Sequence, residues 1–330
     1  MSTTLPNKHP LLSIIMPVYN VEDFLEDALK SILGQQYCNY EIIAINDGSQ
    51  DQSGNILDSY ASKDQRIKVY HYENRGLSAA RNKGLKWAAG SYVYFFDSDD
   101  LLSKNALKSL ISLIKVHNCD LIAFSGICID EKSNPVVCRQ PYIKPDHDKP
   151  IRGRELFMQM MRSSQYTPVI PMYLFKKEFL EFNSLSFSEG YIHEDEAFTM
   201  KALLQANKVC STSHVYHKHR IRSGSIMAEN YGLKNVKGWA NAVSQMLHFI
   251  VNENYNEQER NMVLKRVRIL ANNCAGILLE INKQTGNRLS MNDYFSENEL
   301  NQLGFELKLR FKKPLIYRVY KRLMTLFSTY

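Results

Sequence analysis

Three carboxylates follow directly on a strand-like run in residues 92–100, which read YVYFFDSDD. Burying carboxylates such as Asp97, Asp99 and Asp100 is costly unless a proton, a cation or several hydrogen-bond donors accompany them. Two carboxylates separated by one residue can bend toward a single ion, and Mg²⁺ and Mn²⁺ prefer oxygen ligands. Acids that cap the next helix explain the same pattern equally well. Taken alone, the run therefore predicts either a metal site or a capped strand end.

Two further polar clusters follow strand-like runs earlier in the chain. LLSIIMPVY ends at Pro17 and Tyr19, and YEIIAIN is followed by Asp47, although Asp-Gly is also a common turn. The carboxyl ends of parallel strands meet at one edge of a sheet, where ligands bind in open α/β folds. If these strands are parallel neighbours, we expect the clusters to share one ligand site.

The elements that position these residues alternate between strand and helix signals over the first 125 residues. Buried-strand runs such as YEIIAIN and DLIAFSGICI are separated by amphipathic segments such as NVEDFLEDALKSILGQ. This alternation predicts βαβ units, a mostly parallel central sheet and helices on both faces. ICIDEKSNPVVCRQ resembles a hairpin, and beyond residue 230 the pattern is all helical. The sequence therefore predicts an α/β fold followed by a helical C-terminal region.

Composition limits the class of protein. Of 330 residues, 44% are hydrophobic and 23% charged, which argues for a globular rather than a disordered chain. Neither a signal peptide nor a membrane-spanning stretch is recognisable. The six cysteines form no CxxC pair, so we expect neither a zinc site nor a disulfide framework, but a reduced, cytoplasmic protein. The net charge of +7 is compatible with anionic ligands or an anionic membrane surface.

Five sequence blocks together resemble the family 2 glycosyltransferases, inverting enzymes with the GT-A fold. The blocks are SIIMPVYN (13–20), INDGSQD (45–51), ENRGLSAARNKG (73–84), FFDSDD (95–100) and HEDEAF (193–198). The resemblance covers residues 11 to about 225. It implies the following division: an N-terminal extension (1–10), a GT-A catalytic domain (11–228) with a nucleotide half (11–125) and an acceptor half (126–228), and a helical C-terminal region (229–330) with a basic tail (305–330).

The resemblance implies a binding role for five residues of the nucleotide half. Pro17 and Tyr19 would flank a uracil ring, and Asp47 would accept a hydrogen bond from uracil N3–H. Arg81 would lie beside the nucleotide or diphosphate, because a guanidinium suits anionic oxygens. Asp97 would lie near the ribose and the metal. These residues together would recognise a UDP-sugar.

The resemblance also decides between the two explanations of the acidic run. Asp99, with Asp97, would hold Mn²⁺ or Mg²⁺, which would bridge the two phosphates and stabilise the departing UDP. In HEDEAF, Asp195 would be the general base that takes a proton from the acceptor hydroxyl, with Glu194 orienting the acceptor or the sugar. The same acids also open a helix, where negative charge is favourable, and the two roles are compatible.

The basic segment HKHRIRSGS (217–225) matches the family less closely. In relatives a loop here closes over the diphosphate and often carries a histidine that reaches the metal. This chain has Arg222 at that point, and an arginine is not a metal ligand, so Arg222 and Ser223 are expected to bind phosphate. Whether His219 contacts the metal stays open, because a partly buried histidine at a strand end is commoner.

Seven lysines and arginines face a single acid in FELKLRFKKPLIYRVYKRLMTLFSTY (305–330). From Pro314 onward Leu315, Val319 and Leu323 share one helical face, which predicts a helix lying on an anionic membrane. The alternative is that this face packs against the preceding helices. No segment indicates nucleic-acid binding.

The expected function is metal-dependent, hexosyltransferase-type transfer from a UDP-sugar to a growing cell-surface glycan. The acceptor would be lipid-linked or of lipopolysaccharide, capsule or exopolysaccharide type, on the cytoplasmic face of the membrane. A phosphatase-type fold leaves the uracil-type blocks unexplained, and an oxidoreductase lacks GxGxxG after the first strand. The alternative from another class is a catalytically silent nucleotide-sugar-binding or membrane-assembly scaffold, against which the intact Asp97, Asp99 and Asp195 argue.

Overall fold

The computed structural model describes residues 11–138, 142–224, 231–252 and 254–304. The described residues form two compact units. The first comprises 11–190 and 198–224, and the second comprises 191–197 and the described residues from 231 to 304. The predicted amphipathic tail, 305–330, lies outside the described residues, so its helix stays a prediction.

The strands of the first unit form one mixed sheet. In chain order they are β1 (Leu12–Val18), β2 (Tyr40–Asp47), β3 (Ile67–Tyr72), β4 (Tyr92–Phe95), β5 (Leu101–Leu102), β6 (Leu121–Ile129), β7 (Pro135–Val136), β8 (Tyr173–Lys176) and β9 (Val209–Arg220). Their order is β3-β2-β1-β4-β8-β6-β9-β5, with β7 paired to β6. Strands β1 to β4 are mutually parallel, β6 and β9 are parallel, and β8 is antiparallel to both β4 and β6.

Helices cover this sheet and account for the continuous apolar runs of its strands. They are α1 (Glu22–Leu33), α2 (Ser53–Ala61), α3 (Leu77–Trp87), α4 (Ala106–His117), α5 (Gly153–Arg162), α6 (Lys177–Phe182) and α7 (Glu194–Gln205). Every residue of β1 and β2 is buried, as expected of strands covered on both faces. Leu29 of α1 and Leu110 of α4 belong to the same core cluster as Ile14 of β1. The predicted α/β class is confirmed, with β1 to β4 parallel.

The segment expected to form the acceptor half (126–228) shows where the sequence pattern was insufficient. The hairpin is present as β6 and β7, and its turn contains Ser133 in the left-handed region (φ +67°). The segment YTPVIPMYLF, which has no clear periodicity, supplies β8, and β8 lies between β4 and β6. Because β8 is antiparallel to both neighbours, it joins the parallel strands β1–β4 to the pair β6 and β9.

The second unit is helical in the residues described, as predicted. Its helices are α8 (Leu233–Asn252), α9 (Glu257–Thr285) and α10 (Glu297–Leu303). Helix α8 packs against α9, and both bury apolar side chains such as Val243 and Leu270. Capping boxes start α9 at Asn256 and α10 at Ser296. Within the described ranges, every helix is too short or too polar to cross a bilayer.

The cysteines differ from the sequence expectation. Cys119 is bonded to Cys210, and Cys128 to Cys138. Cys38 and Cys274 are free. The expectation of an entirely reduced chain is wrong in this structure, because β6 lies beside both β7 and β9 and brings cysteines that are distant in sequence together. The Cys128–Cys138 bond fastens the β6–β7 hairpin.

Lys144 is a buried lysine that no sequence motif marks. Its side chain is fully buried, and its ammonium group donates to the Thr167 hydroxyl (2.7 Å) and the Tyr173 hydroxyl (2.9 Å). Burial lowers the pKa of Lys144 from 10.5 to about 7. The neutral amine is therefore the form that the folded chain favours above that pH.

We expect Lys144→Met to flatten the pH dependence of stability. Between pH 7 and 10.5 the unfolded chain holds a proton on Lys144 that the folded chain releases, so this group makes the free energy of unfolding rise with pH. The free energy of unfolding of the variant minus that of the wild type should therefore fall by up to about 5 kcal/mol as the pH rises from 7 to 10.5. Urea denaturation at several pH values measures it, with exposed Lys104→Met as control. Parallel pH profiles for Lys144→Met and wild type would contradict the prediction.

Candidate active site

Three strand ends meet at one edge of the sheet. Strand β1 lies between β2 and β4, and all three are parallel, so their carboxyl ends point the same way. Pro17 lies buried within β1, whereas Tyr19, just beyond it, is 49% exposed and offers an open ring face. Asp47 ends β2, and Asp97 follows β4 after Phe96. The arrangement is a polar edge with an accessible aromatic ring.

Asp47 is held by the backbone of the segment that enters α3. Its two carboxylate oxygens accept the N–H groups of Arg75 (2.9 Å) and Gly76 (2.7 Å). Gly76 has φ +89°, a conformation that other residues rarely adopt, so glycine is required for this contact. Asp47 is buried and acts only as an acceptor when ionised. The carboxylate is thus fixed, and its remaining lone pairs suit a donor such as a ring N–H.

Asp97 is paired with a buried arginine from α3. Arg81 Nη2 lies 2.8 Å from Asp97 Oδ1, and Arg81 is 3% exposed whereas Asp97 is 27% exposed. The guanidinium also lies over the Phe187 ring, 5.3 Å from its centroid. Packing therefore fixes the cation, and the carboxylate remains accessible from the edge of the sheet.

Asp99 has an environment that disfavours its charge. Burial and the neighbouring carboxylates of Asp100 and Asp97 raise the pKa of Asp99 to about 6, although Arg222 opposes this rise. Arg222 Nε donates to Asp99 Oδ2 at 2.7 Å. Arg222, which was expected to bind phosphate, therefore pairs with Asp99, the expected metal ligand. This single cation only partly compensates the negative charge of the neighbouring carboxylates.

Asp100 is fully buried and faces two histidines of β9. His217 Nε2 lies 2.8 Å from Asp100 Oδ2, and His219 Nδ1 lies 3.3 Å from the same carboxylate. Burial alone would raise the pKa of Asp100, but the two imidazoles hold it well below its usual range. Burial likewise opposes charge on His219, yet the Asp100 carboxylate raises its pKa to about 9. His219 therefore contacts the third acid of the run, outside the expected pair Asp97 and Asp99.

Arg220 connects the acidic run to the β6–β7 hairpin. Its backbone N–H donates to Asp100 (2.7 Å), and its Nε donates to the carbonyl of Asp99 (2.8 Å). Its Nη1 reaches the carbonyl of Glu131 at 2.6 Å. The side chain is almost completely buried and lies over the Phe24 ring of α1, 5.1 Å from the centroid. Arg220 thus holds the backbone of the acidic run in place.

Ser223 is also engaged with the hairpin. Its N–H and its hydroxyl both donate to Glu131 Oε1, at 2.9 and 2.8 Å. Arg222 and Ser223 therefore both have protein partners, Asp99 and Glu131. Phosphate binding by these two residues stays a proposal, and it would require them to exchange those partners for phosphate oxygens.

The three successive acids of HEDEAF have different environments in the second unit. Glu196 is buried and paired with Arg266, whose Nε lies 3.1 Å from it. Glu194 and Asp195 are partly exposed in the first turn of α7. His193, with φ +61°, stacks on Trp239 at 4.4 Å between ring centroids, which fixes the residue before them. Glu196 therefore belongs to a buried ion pair, whereas the catalytic roles expected of Glu194 and Asp195 stay predictions.

Sequence reasoning missed several residues that organise this site. It assigned no role to Asp100, Arg220, Glu131 or Phe24, although the acidic run already contained Asp100. An arginine within a strand-like segment was the available signal for Arg220. The sequence did not mark Glu131 or Phe24. Both contact Arg220 only because the hairpin and α1 lie close to β9 in the folded chain.

The acidic run fits a divalent cation. Asp97 and Asp99 offer hard oxygen ligands, and the raised pKa of Asp99 marks a place that lacks positive charge. A bound cation would offset the free-energy cost that burial and the neighbouring carboxylates impose on the charged form of Asp99. A second group of possible ligands consists of Asp100, His217 and His219.

The family model for glycosyl transferase family 2 matches residues 13–181. The glycosyltransferase GlyG of Streptococcus pneumoniae is 32% identical over 242 residues, which cover 72% of this chain and 78% of GlyG. Across the curated relatives compared, the chain spans from 41% to 78% of their lengths and often less than two thirds.

Solved structures support the fold. TarS of S. aureus in complex with UDP-GlcNAc superimposes with a TM-score of 0.63 at 24% identity, covering 88% of this chain and 78% of that structure. A mannosyltransferase from Pyrobaculum calidifontis in complex with GDP-Man and Mn²⁺ gives 0.55 at 16% identity, covering 97% and 85%. With the family match over half of its length, the chain belongs to the glycosyltransferases of family 2, with the GT-A fold.

Proposed function

We propose that this protein is a metal-dependent, inverting glycosyltransferase that moves a sugar from a UDP-sugar to a hydroxyl of a growing cell-surface glycan. The observation that carries the proposal is the common sheet edge of β2, β1 and β4, where Asp47, Tyr19 and Asp97 follow parallel strands. In open α/β sheets this edge is the usual ligand site. TarS, a neighbour in fold, was solved with UDP-GlcNAc, which supports a uridine donor.

Each donor-binding residue has a chemical role in this proposal. Tyr19 stacks on uracil beside Pro17, and the fixed Asp47 carboxylate accepts uracil N3–H. Arg81 neutralises charge near the nucleotide. Arg222 and Ser223 bind the diphosphate once they leave Asp99 and Glu131. These contacts would select uridine over other bases and a diphosphate over a monophosphate.

Asp97 and Asp99 would hold Mn²⁺ or Mg²⁺. When bound, the ion supplies Lewis-acid stabilisation of the departing diphosphate. Asp195 takes the proton from the acceptor hydroxyl while its oxygen attacks the anomeric carbon and the bond to the diphosphate oxygen breaks. Glu194 orients the acceptor. Attack from the side opposite the leaving group inverts the anomeric configuration.

The function is tested by incubating the purified full-length chain with a panel of UDP-sugars and measuring UDP release with and without Mn²⁺. Release from one or a few UDP-sugars that requires the metal supports the proposal. A catalytically silent scaffold is the alternative, and it would bind UDP-sugars without releasing UDP. GDP-sugars are assayed in parallel for GDP release, and release from GDP-sugars alone would contradict the uridine assignment.

The acceptor and its location belong to the same proposal. We infer a glycan or glycolipid acceptor, lipid-linked or of lipopolysaccharide, capsule or exopolysaccharide type, on the cytoplasmic face of the cell membrane. The support is the basic, amphipathic tail sequence (305–330), in which each basic residue near an anionic surface contributes about 1 kcal/mol. A peripheral protein would thereby meet a membrane-bound acceptor.

We expect the full-length protein to float with anionic liposomes at low salt, because the tail combines apolar and basic residues. A chain ending before Phe305 should stay at the bottom of the gradient. High salt should reduce flotation, since screening weakens the electrostatic part. If neither chain floats while both remain folded, the tail has a structural role instead.

A further inference from the structure

The side chains of Asp100, His217 and His219 form a cluster beside the acidic run, and the proposed transfer reaction uses none of them. The carboxylate and the His217 ring are fully buried, and the His219 side chain is 29% exposed. One ligand atom from each residue lies within 4.8 Å of the other two. A carboxylate with two imidazoles is a donor set typical of zinc-class metals, since imidazole suits Zn²⁺, Co²⁺ and Ni²⁺ better than Mg²⁺.

The distances in the cluster suit metal ligands. His217 Nε2 lies 2.8 Å from Asp100 Oδ2, and His219 Nδ1 lies 3.3 Å from either oxygen of that carboxylate. In tetrahedral coordination with metal–ligand bonds of about 2.0–2.2 Å, neighbouring ligand atoms around one ion lie about 3.3–3.6 Å apart. The His219–Asp100 distance matches this range, the His217–Asp100 distance is shorter, and all three ligand atoms lie within 4.8 Å of one another, so side-chain adjustments would bring them around one ion.

The hydrogen bonds around His217 also favour a ligand role. The Tyr94 hydroxyl donates to the carbonyl of Pro171 (2.9 Å) and lies 3.2 Å from His217 Nδ1. A hydroxyl has one proton, so Nδ1 of His217 must donate to it. Nε2 of His217 faces the Asp100 carboxylate at 2.8 Å, where both could bind one cation. A fixed Nδ1–H with Nε2 directed at the ion is the usual state of a metal-bound histidine.

Neighbouring groups hold the remaining parts of the cluster. The backbone N–H of Arg220 donates to Asp100 Oδ1 at 2.7 Å, which orients the carboxylate. Phe96 packs edge-on against His217, and Tyr142 packs edge-on against His219, with ring centroids 5.9 and 5.8 Å apart. A ligand oriented by a hydrogen bond and an aromatic surrounding are features of built metal sites.

We propose that Asp100, His217 and His219 bind a divalent ion of the zinc class at a site distinct from Asp97 and Asp99. The ion would link the acidic run after β4 to β9 and so hold the donor edge of the sheet in place. The exposed side of His219 leaves room for water as a further ligand. This proposal does not depend on the transfer reaction, because a scaffold protein could hold the same ion.

The probe is Co²⁺, whose visible absorption reports nitrogen and oxygen coordination. The full-length protein is freed of metal with a chelator and titrated with Co²⁺ in the absence of nucleotide. We expect about one equivalent to bind, and His219→Ala to weaken binding at least about 10- to 100-fold, the range reported for loss of supporting groups alone. The exposed His214 lies on the same strand, and His214→Ala should leave binding unchanged.

Further variants separate this site from the donor metal. Asp99→Asn should keep the Co²⁺ spectrum, whereas His217→Gln should lose it. Zn²⁺ should raise the melting temperature of the wild type and not of His219→Ala, because an ion that binds only the folded state stabilises it. Circular dichroism checks that each variant is folded. Absence of Co²⁺ binding by the wild type, unchanged binding in both histidine variants, or loss in Asp99→Asn would overturn the proposal.

Discussion

Asp99→Asn should abolish metal-dependent transfer. Loss of a charged ligand removes several kcal/mol of stabilisation of the leaving group, which corresponds to a rate reduction of roughly a thousandfold. UDP release with saturating Mn²⁺ measures the effect, and Asp27→Asn, an exposed acid on α1, is the matched control. Wild-type rates from Asp99→Asn, with or without EDTA, would show that Asp99 is not the metal ligand.

The same variant should not be less stable than the wild type. The Asp99 side chain is 18% exposed and pairs with Arg222, but it lies beside Asp97 and Asp100, and its raised pKa indicates that its charge is disfavoured in the folded chain. Removing that charge should raise the melting temperature of the metal-free protein by a few degrees, roughly 2–4 °C per kcal/mol for chains of this size. An inactive variant with higher thermal stability separates lost function from lost folding.

Asp195→Asn should bind UDP as the wild type does but lose transfer by roughly a hundredfold or more, the typical effect of removing a general base. Calorimetry measures UDP binding, and product formation measures transfer. Glu194→Gln should have a smaller effect on rate, because its proposed role is orientation. Normal transfer by Asp195→Asn would move the base to another residue.

Glu196→Gln completes this comparison with a different expected result. Glu196 is buried and paired with Arg266, so the change removes the negative charge from a largely buried ion pair. Breaking such a pair is strongly destabilising, by about 3–5 kcal/mol. The variant should therefore show a lower melting temperature, whereas Asp195→Asn should not. Three adjacent acids would then have three distinct phenotypes.

Much of this organisation could be predicted from the sequence, because it depends on local pattern. Continuous apolar runs in β1 and β2 indicate strands buried on both faces, and the alternation with amphipathic segments indicates parallel order. Parallel order alone then places Asp47 and Asp97 at one edge. The family match bears out the family assignment, which rested on five blocks in the expected order.

The C-terminal unit was predicted for the same local reason. Helical periodicity is a short-range feature that a sequence displays directly. The strands after residue 126 were harder to predict, because β8 comes from a segment without clear periodicity. Its place between β4 and β6 depends on pairing with both neighbours.

By itself the sequence determined the strand–helix order and the acidic run at the end of β4. Only the tertiary structure decided the partners of each acid, because those partners are distant in the chain: Asp99 meets Arg222 across 123 positions, and Asp100 meets His217 across 117. These pairs exist because β9 returns beside β6 and pairs with the short strand β5 that follows the run. Each pairing affects stability strongly because the carboxylates are removed from water. A carboxylate there is stable only when a nearby cation or hydrogen-bond donor compensates its charge.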